Sequence, residues 1–207
     1  MGAEPRRGAG RQRCRRSPSV CHVAMVDTFN ARKIDGWMSD EELLWLATEA
    51  TKHNTICEIG CWLGRSTRAL LDNTQGTVYA VDTWKGTAGD AIHAKILSGK
   101  HKDWLLKSFI TNMGPDPRRL VIYQSDSLSA AKYFKVEGMK FDMIFLDATH
   151  TYEVVKADIE AWMPNMDDGG LLCGHDYHDD WPGVIQAIAE MLPKAKVAGD
   201  RIWAVVL

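Results

Sequence analysis

Short apolar runs alternate with amphipathic stretches along most of the chain. Five runs have the length, apolar character and flanking turn residues of buried strands, and they cover residues 54–60, 76–84, 119–126, 141–150 and 169–177. Six stretches between and around them have apolar residues at helical spacing, and they cover residues 39–53, 65–73, 103–113, 127–134, 152–163 and 183–192. The pattern therefore predicts strands and helices in regular alternation.

This alternation predicts an α/β fold with a mostly parallel sheet and helices on both faces, because parallel strands need crossover helices. Residues 195–207 form a different pattern, in which two short apolar runs are joined through Gly199 and Asp200. Such a pattern is typical of a hairpin. One of its two strands is therefore expected to run antiparallel to its neighbour.

Charge divides the chain into two parts. Residues 1–24 contain six arginines and one glutamate, with Gly and Pro but few large apolar residues, so we predict a disordered basic tail or an upstream extension that precedes Met25. Residues 25–207 are expected to form a single domain, and there acidic side chains outnumber basic ones by 26 to 19. This acidic body argues against nucleic acid as a partner.

Two further properties limit the class of protein. No apolar run is long enough to span a bilayer, so a membrane partner is not expected. The five cysteines form no C-x-x-C pair and predict neither a disulfide scaffold nor a zinc site, which fits a cytoplasmic location. The sequence leaves the oligomeric state open, with a homo-oligomer as one option.

Acidic residues follow the predicted strands. One carboxylate lies at or just past the carboxyl end of each of the first five strands: Glu58, Asp82, Asp126, Asp147 and Asp176. Ligands of open α/β sheets bind in the crevice beyond these strand ends. The register of the five acids therefore predicts a binding site at this edge.

The segment ICEIGCWLGRST joins the first strand to the next helix. Gly60 and Gly64 allow a tight turn and close approach of a ligand, while the helix start and the hydroxyls of Ser66 and Thr67 offer donors to an anion. Glu58 would accept from a cation or from ligand N–H groups. The anion-binding donors and the Glu58 carboxylate together suit an amino-acid moiety as the ligand. The alternative is that this segment is a simple glycine turn without a ligand.

Two later acids suit a nucleoside. Asp82 lies about twenty residues after the glycine loop, where a carboxylate accepts from ribose hydroxyls. Asp126, between Ser125 and Ser127, is predicted to accept from an adenine amine, to cap the following helix, or to do both.

Five segments together carry a resemblance: EIGCWLGRST, VYAVDTW, QSDS, FDMIFLDATHTYEVVKADIEAW and GGLLCGHDY with PGVIQAI. They resemble the class I S-adenosylmethionine-dependent methyltransferases, especially the catechol O-methyltransferase-like group and small single-domain relatives with an acid-x-x-His-x-Tyr segment. The resemblance implies a Rossmann-like doubly wound sheet of seven strands with an antiparallel last strand. It places S-adenosyl-L-methionine against Glu58, Gly60, Cys61, Gly64, Ser66, Thr67, Asp82, Thr83, Trp84, Ser125, Asp126, Ser127 and Asp147.

The resemblance also bears on catalysis and metal binding. By position, Asp147, His175 and Asp176 match the magnesium ligands of catechol-type enzymes, but His175 stands where these enzymes have an oxygen ligand. Histidine favours transition metals over magnesium, so a magnesium site, a transition-metal site and a metal-free site all stay open. His150, or else His175, is the candidate base because imidazole accepts a proton near neutral pH.

We therefore predict O-methylation of a hydroxyl on a small-molecule or sugar-like acceptor, with S-adenosylmethionine as the methyl donor. One alternative is a nicotinamide-dependent Rossmann oxidoreductase, but the G-x-G-x-x-G spacing of that class is absent after the first strand. The other alternative is a nucleoside-binding module without catalytic activity. The acceptor itself cannot be deduced from the sequence, although residues 83–117 are expected to form part of a lid over it.

Overall fold

A computed structural model describes residues 25–87, 89–115 and 118–207. The predicted basic tail at residues 1–24 lies outside the described residues. Seven strands form one sheet in the order β3-β2-β1-β4-β5-β7-β6. Their bounds are β1 Thr55–Ile59, β2 Thr77–Asp82, β3 Leu120–Gln124, β4 Phe141–Leu146, β5 Met166–Gly174, β6 Lys196–Val197 and β7 Trp203–Val206.

The first five strands are parallel, and β7 runs antiparallel to both β5 and β6. This confirms the predicted terminal hairpin and the antiparallel last strand. The strand order reverses between β1 and β4, since β1 pairs with both β2 and β4. The reversal opens a crevice beyond the carboxyl ends of these central strands.

Seven α-helices cover the sheet. Their bounds are α1 Asp40–Ala50, α2 Arg65–Asn73, α3 Ala91–Leu97, α4 Trp104–Met113, α5 Ser127–Val136, α6 Tyr152–Trp162 and α7 Pro182–Met191. Short 3-10 turns at Ala31–Lys33 and Met163–Asn165 complete the elements. The six predicted helices are all present, and α1 begins as expected at Ser39, whose hydroxyl forms a capping box with Glu42.

Each face of the sheet has its own apolar core. Helices α1, α2 and α4 pack on one face around residues such as Leu46, Leu70 and Phe109. Helices α5, α6 and α7 pack on the other face around residues such as Phe134 and Trp162. The helices on both faces confirm the doubly wound arrangement, and they leave the carboxyl ends of the strands open to ligands.

Two elements differ from the sequence-based prediction. Strand β5 begins at Met166 rather than at residue 169, because Met166 pairs with Phe141 of β4 before an irregularity that contains the exposed Asp167 and Asp168. Helix α3 was not predicted because it buries no side chain and so lacks an apolar stripe. No helix among the described residues is long and apolar enough to cross a membrane.

Candidate active site

A cavity of about 960 Å³ opens at the carboxyl edge of the sheet. Twelve of the sequence-predicted site residues line it: Gly60, Cys61, Ser66, Asp82, Thr83, Ser125, Asp126, Ser127, Asp147, His150, His175 and Asp176. The other four, Glu58, Gly64, Thr67 and Trp84, do not line the cavity. The fold therefore brings most of the predicted residues to one continuous surface.

The loop after β1 forms one wall, and its shape depends on Gly60. This residue has φ of 92°, and a Cβ atom placed on it would lie 2.1 Å from the carbonyl oxygen of Asp147. Only glycine permits this approach, which brings the loop after β1 against the loop after β4. The two loops that carry most of the predicted chemistry are thus in direct contact.

Asp82 holds the same loop from the side of β2. Its Oδ2 accepts from the backbone N–H groups of Cys61 at 2.8 Å and Trp62 at 2.9 Å, and its Oδ1 accepts from the N–H of Trp84 at 2.6 Å. Burial raises the pKa of Asp82, while these N–H donors oppose the rise. Asp82 therefore fixes the loop, and its contact with ribose stays a prediction.

The start of α2 offers free donors to a ligand. Gly64 precedes the helix in a left-handed conformation, and no side chain caps the first turn. Ser66 of this turn lines the cavity. Uncapped N–H groups at a helix start stabilise an anion, which agrees with the sequence-based interpretation of this loop.

Glu58 lies beneath the loop and is fully buried. Its Oε2 accepts from the hydroxyl of Thr67, whereas its Oε1 has no hydrogen-bond partner within the described part of the chain. Burial raises the pKa of Glu58 to about 7, although hydrogen bonds from Ser66 and Thr67 oppose the rise. Glu58 does not line the cavity, and the ligand contact predicted for it stays a prediction.

A buried cluster of one histidine and three carboxylates forms the floor beyond β4 and β5. His175 Nε2 lies 3.1 Å from Glu42 Oε1, while His175 Nδ1 lies 3.6 Å from Asp147 Oδ1 and 3.3 Å from Asp176 Oδ1. Burial lowers the pKa of His175, but the carboxylates outweigh it and raise this pKa to about 11. Without a metal, His175 is therefore a cation held between acids.

The same atoms also suit a metal ion. One ligand atom each from Asp147, His175 and Asp176 lie within 4.8 Å of one another. Glu42 stands behind His175 in the place where metal-binding histidines usually donate their other N–H to a carboxylate. One nitrogen and two carboxylate oxygens favour a transition metal over magnesium, which prefers oxygen alone. The donor set therefore fits a divalent ion, in keeping with the sequence-based hypothesis.

His150 stands beside this cluster and faces the cavity. Its Nε2 lies 2.7 Å from Asp176 Oδ2, and its ring packs against Trp181 with centroids 4.2 Å apart. Burial lowers the pKa of His150, but the hydrogen bond and charge of Asp176 outweigh burial and raise it. With Nε2–H donated to Asp176, Nδ1 carries the lone pair, so His150 has the geometry of an oriented base.

The loop after β3 and helix α6 form another part of the cavity wall. Asp126 is exposed and caps α5, since its Oδ1 accepts from the N–H of Ser129 at 2.9 Å. The predicted capping role of Asp126 is therefore present. A second carboxylate, Asp158 of α6, is only 4% exposed and also lines the cavity.

Aromatic rings form the rim near α3. The rings of Trp62 and His93 are stacked with centroids 4.2 Å apart, and Trp37 lies 5.5 Å from Trp62. The N–H of Thr87 donates to His93 Nδ1 at 3.0 Å and so fixes the imidazole orientation. This stack and the packing of Leu97 against the core attach α3 beside the cavity.

Among the residues that the structure describes, three other than glycine have a left-handed backbone. They are Trp62 and Trp84, each with φ of 49°, and Asp176 with φ of 61°. Each lies in a loop directly beyond a strand of the central sheet. Left-handed residues with large side chains are uncommon and store strain, and they are concentrated at functional sites.

Some residues at the cavity had no functional signal in the sequence, and among them are Trp37, Glu42, His93 and Asp158. Glu42 stands in the first turn of a predicted helix, and Asp158 stands at a polar position of another. Trp37 and His93 stand in segments without clear periodicity. His93 lies in the expected lid at residues 83–117, which was its one signal.

Comparison with known proteins agrees with this architecture. A family model described as a methyltransferase domain matches residues 57–177, which is more than half of the chain. A search of curated proteins finds no significant match.

Solved structures share the fold at low identity. An O-methyltransferase from Bacillus cereus in complex with SAH has a TM-score of 0.57 and 18% identity, over 86% of each chain. CalS11, a TDP-rhamnose 3'-O-methyltransferase of calicheamicin biosynthesis, has a TM-score of 0.55 and 16% identity over 79% of this chain and 76% of that chain. Cofactor-bound Rv0187 from MTB has a TM-score of 0.57 and 16% identity, over 86% of this chain and 85% of that chain.

Proposed function

Because the chain belongs to the methyltransferase-domain family, we propose that it transfers the methyl group of S-adenosylmethionine to a hydroxyl oxygen of a small-molecule acceptor. The observation that carries the proposal is the pair of His150 and Asp176 at the cavity surface, with a 2.7 Å contact that orients a base toward the ligand space. The names of the structural neighbours, which are O-methyltransferases or proteins bound to SAH, support the same reaction. We take residues 25–207 as one catalytic domain because one sheet connects all the strands of this range.

The cavity suits the methyl donor at both of its ends. The uncapped first turn of α2 would hold the carboxylate of the methionine portion, next to the close turn at Gly60. Asp82 and Thr83 stand where ribose hydroxyls are expected, and the loop after β3 stands where adenine is expected. The volume of about 960 Å³ exceeds what the donor alone needs and leaves space for a small acceptor.

S-Adenosylmethionine supplies a methyl group that is already electrophilic because it is bonded to a sulfonium. The protein therefore has two tasks, which are to align the acceptor oxygen and to remove its proton. In the proposed mechanism the acceptor oxygen attacks the methyl carbon while His150 Nδ1 takes the hydroxyl proton. The bond between the methyl carbon and sulfur breaks, its electron pair goes to sulfur, and S-adenosylhomocysteine leaves as a neutral thioether. Asp176 accepts the Nε2–H throughout and stabilises the imidazolium that results.

A divalent metal would be held by Asp147, His175 and Asp176. When bound, such an ion would favour the ionised form of an acceptor hydroxyl. His150 performs its role in proton removal with or without the ion, since its contact to Asp176 uses Oδ2 and leaves Oδ1 on the side of His175.

Calorimetry with S-adenosylhomocysteine tests the proposal. We expect binding to the wild-type protein and loss of binding in Asp82→Ala, because this change removes both the loop anchor and the predicted ribose acceptor. Asp168→Ala, at an exposed position of β5, is the matched control and should bind as the wild type does. Absence of binding to the wild-type protein would contradict the proposal.

Two further assays separate the alternatives. An oxidoreductase would change the fluorescence of NADH on binding, and we expect no change. A binding module without activity would bind the nucleoside but release no methylated product. Mass spectrometry of a panel of hydroxylated acceptors, incubated with enzyme and methyl donor, should instead find a product with one added methyl group.

A further inference from the structure

The aromatic rings of Trp37, Trp62 and His93 have no part in the mechanism above, although all three residues line the cavity. Trp37 remains 57% exposed even though its ring contacts the other two. An exposed group of aromatic rings at a cavity is a surface for a ligand rather than a part of the core. The chemistry of this surface therefore indicates what the acceptor carries.

The three rings do not form one flat wall. Trp62 and His93 are nearly parallel, with centroids 4.2 Å apart and an angle of 16° between their planes. Trp37 is inclined by 49° to Trp62 and by 56° to His93, and its centroid lies 5.5 Å and 5.3 Å from theirs. The rings thus face in two directions, and inclined aromatic faces suit a cationic nitrogen better than a single flat ring does.

Hydrogen bonds hold two of these rings in place before any ligand binds. The backbone N–H of Trp62 donates to Asp82 Oδ2 at 2.9 Å, and the carbonyl oxygen of Trp62 accepts from the indole N–H of Trp84 at 3.1 Å. The N–H of Thr87 donates to His93 Nδ1 at 3.0 Å, which requires the lone pair of that nitrogen. A ligand therefore does not have to order these rings on binding.

The charges beside the rings favour a cation. Burial lowers the pKa of His93, with Asp90 opposing, so the imidazole is neutral near neutral pH and does not repel a cation. Asp90 Oδ1 accepts from the N–H of His93 at 2.9 Å, and this bond holds the pKa of Asp90 below its ordinary value. Arg65, whose side chain packs against Gly36, is balanced by Asp40 at 3.6 Å. Neutral rings with an ionised carboxylate beside them attract a positive group.

The rings share the cavity with the catalytic base. Trp37, His93 and His150 all line it. The charge of His150 contributes to the pKa of both His93 and Asp90, so His150 lies within electrostatic range of the rings. One small molecule can therefore place a cationic nitrogen against the rings and a hydroxyl at His150.

We propose that the rings of Trp37, Trp62 and His93 bind a cationic nitrogen of the acceptor, so that the compound methylated is a hydroxyl compound that also carries an ammonium group. This rests on the proposed function, which supplies the methyl transfer. The carboxylates that line the cavity attract any cation. The rings add a preference for an alkylated ammonium group, which loses little hydration when it lies against an aromatic face.

The test compares two alcohols of the same shape. Choline carries a trimethylammonium group, and 3,3-dimethylbutan-1-ol carries a tert-butyl group in its place. Calorimetry with protein saturated with S-adenosylhomocysteine should show that choline binds in the millimolar range and about tenfold more tightly than the neutral alcohol. Equal affinities, or binding of neither alcohol, would overturn the inference and leave the proposed function intact. A protein that does not bind S-adenosylhomocysteine would contradict the proposed function, and this inference with it.

Variants of Trp37 separate the rings from the acidic field. Trp37→Leu removes a ring without changing any charge, so its affinity for choline should fall about fivefold or more. Its affinities for the neutral alcohol and for S-adenosylhomocysteine should stay within about twofold. Trp37→Phe keeps a ring and should restore part of the loss. The matched control is Trp104→Leu, because Trp104 is partly exposed and lines a separate groove on α4. It should keep the wild-type preference.

A Trp37→Leu variant with the wild-type preference for choline would overturn the assignment to the rings, because the carboxylates alone would then account for it. Equal losses in Trp37→Leu and Trp104→Leu would overturn it as well. The comparison of the two alcohols on the wild-type protein does not depend on any variant.

Turnover provides an independent test. In a panel of hydroxylated amines and their N-acetyl derivatives, each pair keeps the hydroxyl and differs in the charge at nitrogen. The amine should have a kcat/KM about tenfold or more above that of its N-acetyl derivative, and Trp37→Leu should reduce this ratio. A panel in which the N-acetyl compounds gain a methyl group as readily as the amines would overturn the inference.

Discussion

At the scale of single residues, the cavity floor is a set of charges that determine one another's protonation. Asp176 contacts both His150 and His175, and these contacts lower its pKa against the opposing effect of burial. Burial raises the pKa of Asp147 to about 7, because the charge of His175 opposes this effect only in part. The two neighbouring carboxylates therefore differ in basicity, and the ionised one holds His150.

The role of His150 predicts a pH dependence of turnover. Only the neutral imidazole accepts a proton, and the pKa of His150 is raised, so the rate should increase with pH through a value above the ordinary one for histidine. Asp176→Asn should move this increase to lower pH. Initial rates over about pH 6 to 9 check both statements, and a flat profile would contradict them.

His150→Ala should reduce turnover by about 10²- to 10⁴-fold, which is the usual contribution of a positioned base. The affinity for S-adenosylhomocysteine should stay within about twofold. His178→Ala, in the loop after β5, where His178 is partly exposed and paired with Asp180, is the matched control and should retain activity. Equal losses in the two variants would exclude His150 as the base.

Glu58 predicts a pH dependence of stability. Its pKa is raised to about 7 in the folded state, so the folded protein binds the proton more tightly than the unfolded chain does. The free energy of unfolding should therefore fall as pH rises from about 4.5 to 7, by about 3 kcal/mol for this group. Glu58→Gln removes this part of the slope. Urea unfolding of both proteins at about pH 5 and 8 measures it, and identical slopes would contradict the prediction.

At the scale of elements, the strands and their following loops position the site. The N–H of Gly60 donates to the carbonyl oxygen of Val81 at 2.9 Å, and the N–H of Asp147 donates to that of Ile59 at 2.8 Å. Both bonds continue the parallel pairing one residue beyond the strands. These bonds therefore fix both loops to the sheet, and the fixed loops hold the reacting groups in place.

Gly60→Ala tests this contact between loops. The new Cβ would lie 2.1 Å from a backbone oxygen, so the loops must separate, and we expect a loss of several kcal/mol of stability together with loss of ligand binding. Gly99→Ala is the matched control, because Gly99 also has positive φ but nothing within 4 Å of its Cβ position. It should lose about 1 kcal/mol and keep binding. Urea unfolding and calorimetry distinguish the two variants, and comparable losses would show that φ alone is responsible.

At the scale of the whole molecule, the cavity is strongly acidic. Among the described residues that line it are ten carboxylates, no lysine and two arginines. Arg65 donates to the carbonyl oxygens of Met38 and Ile34, and Arg201 is paired with Asp180 at 3.2 Å. The field at the site therefore opposes ligands with net negative charge.

This field predicts a preference among acceptors. A phosphate ester should have a kcat/KM about tenfold or more below that of the parent alcohol, provided that the hydroxyl to be methylated is the same. Added salt should reduce the difference, because it screens the carboxylates. Methylation rates of such a pair at low and high salt measure the effect. A phosphate ester that reacts as well as its alcohol would contradict it.

The fold followed from the sequence wherever burial is periodic. Strand β4 is apolar from Met143 to Leu146, so both its type and its end were visible, and the alternation of helices and strands then placed the acids at one edge. Glu42 and Asp158 were not visible, because each acts through a contact distant in sequence. Glu42 reaches His175 across 133 positions, and Asp158 reaches Ser127 across 31. Helix α3 was missed because it buries no side chain fully and so lacks an apolar stripe.

The left-handed backbone at Trp62 and Asp176 has a consequence for directed evolution toward heat resistance. Glycine at either position would relax the main chain by about 1 kcal/mol or more. The same exchange would remove the stack of Trp62 on His93, or the ion pairs of Asp176 with His150 and His175, so lost contacts oppose the gain at both positions. At Trp84 the buried indole packs in the core, and there too glycine would lose more than it gains. A library selected only for survival of heating should therefore retain the wild-type residues at these three codons, even without a screen for product.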